Sequence, residues 1–225
     1  ELQVVPFAEL GHDRLAIEIS RGCTRGSPFC QAGMIYRPVR ERHPEAVIRH
    51  SERGLRFTGY EEMSLLSLSS GDYTGLGSLL RVLMDKQESD KIAVSLPSLR
   101  VDSLDSTCYE EIKRVRKTGF TLAPEAGNER IRRILNKGLT DEEILFMARE
   151  IYGAGWDLIK LYFMIGLPCE EDKDLEDIIR LAGKVRRTSK NKGKVHVSVS
   201  TFVPKSHIIF MWLRQISLSE SWMCV

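Results

Sequence analysis

Long apolar runs, an excess of one charge and a dense set of cysteines are all missing from this sequence. The most apolar stretch, residues 161–168, has strand length, far short of the ~20 residues that a membrane-spanning helix needs. Lys and Arg number 33 against 31 Asp and Glu, which disfavours a strongly basic nucleic-acid binder or a membrane-surface protein. Five cysteines in 225 residues are few, and an odd number cannot all pair in disulfides, which disfavours a secreted disulfide scaffold. We therefore expect a cytoplasmic protein with no membrane partner. The near-zero net charge disfavours an RNA partner, and an RNA-modifying enzyme is the lowest-ranked alternative.

The start of the chain lacks the marks of a natural N-terminus. Residues 1–6 contain no initiator Met, no basic start and no apolar signal core, so they are typical of a piece cut from a longer chain. The length of 225 residues suits one large domain. A charged fraction of 28 %, with 17 Gly and 8 Pro, is that of a folded chain.

Six short apolar segments predict strands with helices between them. They occupy residues 15–20, 63–69, 91–96, 120–124, 158–166 and 195–203. This alternation predicts parallel βα units, in either a doubly wound open sheet or a partial or full (β/α) barrel. Periodicity does not choose between the two. In both, functional groups follow the C-terminal ends of the strands.

Apolar residues at helical spacing predict four helix faces. The faces are Leu76, Leu79, Leu80 and Leu83; Leu104, Cys108, Ile112 and Val115; Ile144, Met147, Ala148 and Ile151; and Leu175, Ile178, Ile179, Ala182 and Val185. Thr140 and Glu143 have the spacing of a capping box, and Asp172 is a candidate cap for the last helix. Residues 184–194 predict a loop. The core is expected to include the large side chains Trp156, Phe163 and Trp212.

A glycine-rich loop with two cysteines follows the first predicted strand. Cys23 and Cys30 flank Ser27 within residues 21–33. Clustered thiolates on a loop suit an iron–sulfur cluster or zinc. Two ordinary buried cysteines are the alternative, because a Cys-x6-Cys pair alone is weakly specific.

Polar residues and turns follow several other predicted strands. Gly71 and Asp72 follow the second strand, Glu125 follows the fourth at a predicted helix start, and residues 165–170 follow the fifth. Each has a simple structural explanation as a turn or a helix N-terminal charge. Their recurrence at successive strand ends nevertheless indicates one shared site.

The segment 18–40 resembles the radical SAM superfamily. The superfamily pattern is Cys-x3-Cys-x2-Cys with an aromatic residue before the last cysteine, the place that Phe29 fills before Cys30. The surrounding residues are most similar to the cobalamin-binding branch, whose substrates are largely unassigned. The resemblance extends over about residues 9–212.

This resemblance implies a partial (β/α)6 TIM-like barrel of parallel strands. It implies a 4Fe-4S cluster with Cys23, Cys30 and Ser27 at the metal positions, and S-adenosylmethionine cleaved to a 5′-deoxyadenosyl radical that abstracts hydrogen from an unknown substrate. The cofactor-binding positions carried over are Phe29, Gly71, Asp72, Glu125, Ile165, Gly166 and Leu167. No catalytic residue is assigned.

The resemblance also implies partners and domain limits. The partners are a reducing electron donor such as a flavodoxin or ferredoxin, and cobalamin held by an upstream domain. Residues 1–10 then form a linker, 11–212 the core and 213–225 a truncated tail.

Ser27 departs from the superfamily pattern, because the middle metal position should be cysteine. A hydroxyl is a weaker acid and a harder ligand than a thiol. Three outcomes stay open: a poor third ligand, a lost cluster, or an imperfect or decaying gene copy. The alternative function is therefore a non-catalytic or degenerate radical SAM barrel.

The remaining cysteines and cations are given structural interpretations. Cys108 is expected in the core, Cys169 in a turn and Cys224 in a disordered tail. The basic runs 112–117 and 130–137 predict solvated helix faces. A cation is still required for the carboxylate of S-adenosylmethionine, and the candidates are Arg132 and Lys137.

Overall fold

The computed structural model describes residues 3–8, 13–87, 92–96, 111, 114, 120–190, 192–217 and 219. The chain divides into two compact units. Unit 1 comprises residues 1–22 and 37–116, and unit 2 comprises residues 23–36 and 117–225. The strands are β1 (Leu15–Glu18), β2 (Ser20–Arg21), β3 (Arg40–Glu41), β4 (Glu62–Leu66), β5 (Ala93–Ser95), β6 (Phe120–Glu125), β7 (Leu158–Ile165) and β8 (Lys194–Thr201). The α-helices are α1 (Gln31–Ile35), α2 (Pro44–Thr58), α3 (Leu76–Gln87), α4 (Glu129–Ile134), α5 (Asp141–Gly153) and α6 (Asp172–Thr188).

Unit 1 contains a parallel sheet in the order β1-β4-β5 and a short antiparallel pair of β2 with β3. Helix α2 starts with a proline in its first turn and ends at Gly59, whose φ of 70° is left-handed. A Cβ on Gly54 would lie 2.6 Å from Leu15 Cδ2, so this glycine lets α2 pack closely on β1. Helix α3 buries its four leucines, which confirms the first predicted helix face.

Unit 2 contains a parallel sheet in the order β6-β7-β8. Strand β7 is central and buries alternate residues: Ile159, Leu161, Phe163 and Ile165. Trp156 packs edge-to-face on Phe120, with ring centroids 5.9 Å apart. Strand β8 pairs with β7 over eight residues, and six of its residues are exposed. No described strand pairs with its other edge.

Helix α5 confirms the predicted capping box, while α6 corrects two expectations. Thr140 and Glu143 cap α5 reciprocally, and the predicted apolar face of α5 is buried. The N-cap of α6 is Glu171 rather than Asp172. Ile179 was expected on the buried face of α6 but is 77 % exposed, because the helix buries Asp174, Ile178, Leu181 and Val185 instead.

Two further expectations are wrong. The predicted loop 184–194 is the last part of α6, a turn and the first residue of β8. Trp212 is 86 % exposed rather than part of the core. The helix face of Leu104, Cys108, Ile112 and Val115 lies outside the described residues, as do Cys224 and most of the basic run 112–117.

The fold is α/β with parallel strands. All six predicted strands are present, three in each of the two parallel sheets, and helices follow β1, β4, β6 and β7 along the chain. The segment between β5 and β6 lies mostly outside the described residues. Among the described residues, no helix is both long enough and apolar enough to span a bilayer.

Candidate functional site around the cysteine loop

The cysteine loop, residues 23–36, belongs to unit 2 and carries two free, half-buried thiols. Cys30 caps α1, and its Sγ accepts a hydrogen bond from Gly33 N at 3.4 Å. Cys23 Sγ accepts one from Arg25 N, also at 3.4 Å. Cys30 N donates to Ser27 O at 3.1 Å, which closes a tight turn between the second and third predicted metal positions. Each sulfur therefore already has a backbone donor, a contact that tunes metal–thiolate sites.

An apolar cluster of unit 2 holds the middle of the cysteine loop. Phe29 packs against the cluster, whose buried members are Ala126, Ile131, Leu135, Leu167, Phe202 and Ile208. Phe210 N donates to Pro28 O at 3.3 Å, and Gln31 Nε2 donates to Ser206 O at 3.1 Å. The loop is thus fixed by its own unit, and Phe29 shields one side of it from water.

The turn after α4 contacts the cysteine loop through two adjacent side chains. Asn136 Nδ2 donates to Arg25 O at 2.7 Å and, at 3.5 Å, to Gly26 O. Lys137 Nζ lies 3.0 Å from Glu125 Oε1 and 6.0 Å from the centroid of the Phe29 ring. The Lys137 and Glu125 side chains are only 10 % and 16 % exposed, so this ion pair is largely desolvated.

Glu125 ends β6 in a strained conformation. Its φ is 69°, a left-handed value that a non-glycine residue rarely adopts. The expected helix start lies further on, since α4 begins at Glu129 and is capped by Asn128. Glu125 therefore does not serve as an N-terminal charge on this helix. The backbone instead turns its carboxylate towards Lys137.

Arg132 is a structural residue, contrary to the expectation that the 130–137 run is a solvated face. Its side chain is 0 % exposed. The guanidinium donates to Leu139 O at 2.8 Å, to Ala126 O at 3.1 Å and to the carboxylate of Asp141. Burial acts to raise the pKa of Asp141, but hydrogen bonds from Lys184 and Arg132 outweigh it and lower that pKa overall. These contacts engage all three nitrogens of a fully buried side chain, so Arg132 does not fit the role of carboxylate-binding cation.

The loop after β7 is organised by Glu170. Gly166 N and Leu167 N donate to Glu170 Oε2 at 2.5 and 3.2 Å. Gly166 has a φ of 74°, and a Cβ there would lie 2.7 Å from the Ile216 side chain, so only glycine fits. Burial raises the pKa of Glu170 in spite of the two backbone donors. The side chains of Ile165 and Leu167 are buried, which leaves their backbone as the part that a ligand could reach.

Gly71 and Asp72 belong to unit 1. They lie in a 3-10 turn, Ser70–Asp72, that follows β4. Asp72 N donates to Ser69 O at 3.2 Å. Gly71 and Asp72 are both half-buried. The strand-end placement expected for them is therefore present.

The superfamily pattern requires three thiolate ligands. This chain supplies a thiol at two of the three positions and a different group at the third. Cys23 and Cys30 supply thiols, while Ser27 supplies a hydroxyl. Within the part of the chain that the structure describes, no three His, Cys, Asp or Glu side chains gather at one point. Cys169, exposed in a left-handed turn, therefore does not replace the missing thiol.

Sequence reasoning missed Asn136 and the role of Glu170. Asn136 follows α4 with a φ of 54° and precedes Lys137 and Gly138. Asn is, after glycine, a residue that adopts the left-handed conformation at helix ends, so the turn was predictable, although its contact with the cysteine loop was not. Glu170 belongs to the turn predicted after the fifth strand, but its part in holding that turn was not predicted.

Comparison with known proteins adds the family. The Radical SAM superfamily matches residues 17–182. The uncharacterized protein MJ0966 of Methanocaldococcus jannaschii is 34 % identical over 86 % of this chain and 41 % of its own length. The tRNA-2-methylthio-N(6)-dimethylallyladenosine synthase of Pelotomaculum thermopropionicum is 28 % identical over 77 % of this chain and 40 % of its own. The chain thus spans about two fifths of these relatives.

A solved structure shares the fold. The radical S-adenosylmethionine methyltransferase TsrM from Kitasatospora setae, solved with cobalamin and a 4Fe-4S cluster bound, superposes with a TM-score of 0.65 at 12 % identity. The match covers 83 % of this chain and 34 % of that one. The fold class expected from the sequence, that of a radical SAM core, is confirmed. Because the family match extends over most of the chain and its cysteine loop, the chain belongs to the radical SAM superfamily.

Proposed function

We propose that this chain is the core of a radical SAM enzyme that binds a 4Fe-4S cluster and S-adenosylmethionine. The metal ligands are Cys23, Cys30 and, as the weak third ligand, Ser27. The observation that carries the proposal is the fixed cysteine loop: both thiols already accept backbone hydrogen bonds, and Phe29 anchors the loop on the apolar cluster of unit 2. Such a preformed loop lowers the ordering cost of binding a cluster.

The residues of the chain have distinct tasks in this proposal. When bound, the cluster supplies the electron that cleaves S-adenosylmethionine to a 5′-deoxyadenosyl radical. Phe29 and the apolar cluster beneath it keep water from one side of the loop. Gly166 and Leu167 present backbone to the adenine, in a turn that Glu170 holds in place. Gly71 and Asp72 bind the methionyl amine.

Glu125 and Lys137 complete the proposed S-adenosylmethionine site. Glu125 is assigned to the ribose or the methionyl group, which its anionic charge and strained placement beside the loop support. Lys137 is assigned to the methionyl carboxylate, since its ammonium group lies near Phe29, whereas the Arg132 side chain is fully buried. Its ion pair with Glu125 keeps the ammonium positioned at a largely desolvated point.

The further parts of the proposal concern the whole protein. We assign residues 11–212 to the core, and we assign cobalamin to an upstream domain joined through residues 1–10. The reductant is a small electron carrier of the flavodoxin or ferredoxin class. The cobalamin-bound TsrM structure supports the assignment of cobalamin only through its shared fold.

The test is anaerobic reconstitution of the wild type beside Ser27→Cys and Ser27→Ala. We expect about four irons and four sulfides per chain in the wild type and in Ser27→Cys. We expect an EPR signal that S-adenosylmethionine perturbs, and strongly reduced iron in Ser27→Ala. Equal iron in all three proteins would show that residue 27 is not a ligand. No cluster in the wild type would overturn the proposed function of this chain.

A second candidate function is a degenerate radical SAM scaffold without a cluster. Ser27 is the observation that favours it, because a hydroxyl binds iron poorly at neutral pH. The same experiment separates the two candidates. A cluster that forms only in Ser27→Cys indicates a scaffold that lost its chemistry at one position.

A further inference from the structure

We propose that Asn136 is a positioning residue that sets the place of residue 27 in the cysteine loop, and that its effect is largest when that residue is serine. The first part rests on the geometry of unit 2 alone. The second part rests on the proposed function, since it concerns how tightly the protein retains a bound cluster. Nothing in the superfamily pattern of cysteines requires such a contact, and Asn136 bears none of the metal or cofactor positions carried over from it.

The first step is where Asn136 contacts the loop. Its amide donates to Arg25 O at 2.7 Å and reaches Gly26 O at 3.5 Å. These carbonyls belong to the two residues that immediately precede Ser27, in a stretch without helix or strand pairing. Gly26 has a left-handed φ of 64°, a conformation that glycine leaves readily. The amide of Asn136 is therefore a direct restraint on the approach to residue 27.

The second step is that Asn136 is itself held firmly. Its N–H donates to Arg133 O at 3.0 Å, and Lys137 N donates to Arg132 O at 2.9 Å, which fixes the end of α4. The buried guanidinium of Arg132 binds Leu139 O on the far side of the turn. It also pairs with Asp141 at the start of α5. The turn is thus tied at both ends, and Asn136 can transmit that rigidity to the loop.

The third step concerns which ligand needs the restraint. A thiolate binds iron strongly enough to pull a mobile loop into place. A serine hydroxyl is a weaker and harder ligand, so a larger share of its binding depends on being presented at the correct position. Loosening the loop should therefore cost the serine-containing chain more than its Ser27→Cys variant.

The experiment combines Asn136→Gly with both residues at position 27. Glycine keeps the left-handed backbone available while it removes the amide, so the turn itself is not strained. Lys190→Gly is the matched control, because Lys190 is an exposed residue with a φ of 55° at the end of α6 and makes no contact with the loop among its described hydrogen bonds. All variants otherwise contain residues 1–225 unchanged.

Two readouts test the two parts separately. In cluster-free protein, hydrogen–deuterium exchange of residues 24–28 should be about fivefold faster in Asn136→Gly, the effect of losing one ordinary hydrogen bond, and unchanged in Lys190→Gly. Alkylation of Cys23 should accelerate relative to Cys169. Unchanged exchange and alkylation would overturn the positioning role, whether or not any cluster forms.

The second readout is the rate at which a chelator removes iron from reconstituted protein. Asn136→Gly should accelerate iron loss about fivefold with Ser27 and less than about twofold in the Ser27→Cys background. Equal acceleration in both backgrounds would refute the selective part. If no chain with Ser27 holds iron, the proposed function fails and the selective part fails with it, while the exchange result still decides the positioning role.

Discussion

The close approach of α6 to the turn after β6 leads to a sharp prediction for Gly127→Ala. A Cβ on Gly127 would lie 2.3 Å from Ile178 N, 2.5 Å from Asp177 C and 2.9 Å from Ile178 Cα. All three atoms belong to the backbone of α6. A change of side-chain rotamer therefore cannot relieve the clash with the new methyl group. The helix and the turn must separate.

The magnitude follows from the size of that separation. Ordinary carbon contacts need about 3.5 Å, so the backbones must move apart by about 1 Å. Overpacking of this kind costs about 1–3 kcal/mol, and a contact with rigid backbone belongs at the upper end. About 3 kcal/mol corresponds to a fall in melting temperature of roughly 6–12 °C for a chain of this size. The same movement strains the hydrogen bond from Arg132 Nη1 to Ala126 O, which is 3.1 Å long.

The assay is urea and thermal unfolding followed by circular dichroism, beside Gly153→Ala as the matched control. Gly153 ends α5, and a Cβ there would meet nothing within 4 Å. We expect the control to change the free energy of unfolding by no more than about 0.5 kcal/mol. If Gly127→Ala also stays within about 0.5 kcal/mol of the wild type, the packing argument is wrong.

Two further predictions concern charged groups in unit 2. Burial raises the pKa of Glu170 above its ordinary value of 4.5. The contribution of Glu170 to the free energy of unfolding is therefore fully present below pH 4.5 and is lost as the pH rises through the raised pKa. Urea unfolding between pH 4.5 and pH 7 should therefore show wild type losing stability relative to Glu170→Gln, and parallel pH profiles would contradict this. Asp141→Asn leaves the buried Arg132 without its carboxylate, and we expect a loss of about 2–3 kcal/mol at pH 7. Since the pKa of Asp141 is lowered from 3.8, that difference should persist on acidification and disappear only below about this value.

Secondary structure was largely predictable because the strands are short, apolar and bounded by turn residues. All six appear, and within each sheet their parallel pairing follows from the helices between the strands. The error on α6 has a physical cause. Its buried stripe begins with Asp174, a carboxylate that accepts hydrogen bonds from Glu171 N, Asn128 and Arg130. A search for apolar periodicity rejects such a residue and moves the stripe to Ile179.

The site was predictable only where chemistry shows in the residue type. Cys23 and Cys30 could be proposed from sequence because clustered thiols on a glycine-rich loop suit metal binding and because the superfamily pattern places cysteines at these positions. Arg132 looked like a surface cation because its partners include backbone carbonyls, which no sequence pattern marks. Asn136 was missed for the same reason, since it too binds carbonyl oxygens.

Strand β8 has a consequence for how the isolated chain behaves at high concentration. Residues 195–201 alternate valine with small polar residues, and His196 is their single ionisable side chain. This segment is nearly uncharged and rich in β-branched residues, and no described strand pairs with its outer edge. Such an edge can pair with strands of other chains, which leads to aggregation. Lys192 and Lys194 precede it and act as electrostatic gatekeepers. Because salt screens such charges, dilute buffer of low ionic strength should keep the chain dispersed better than concentrated salt.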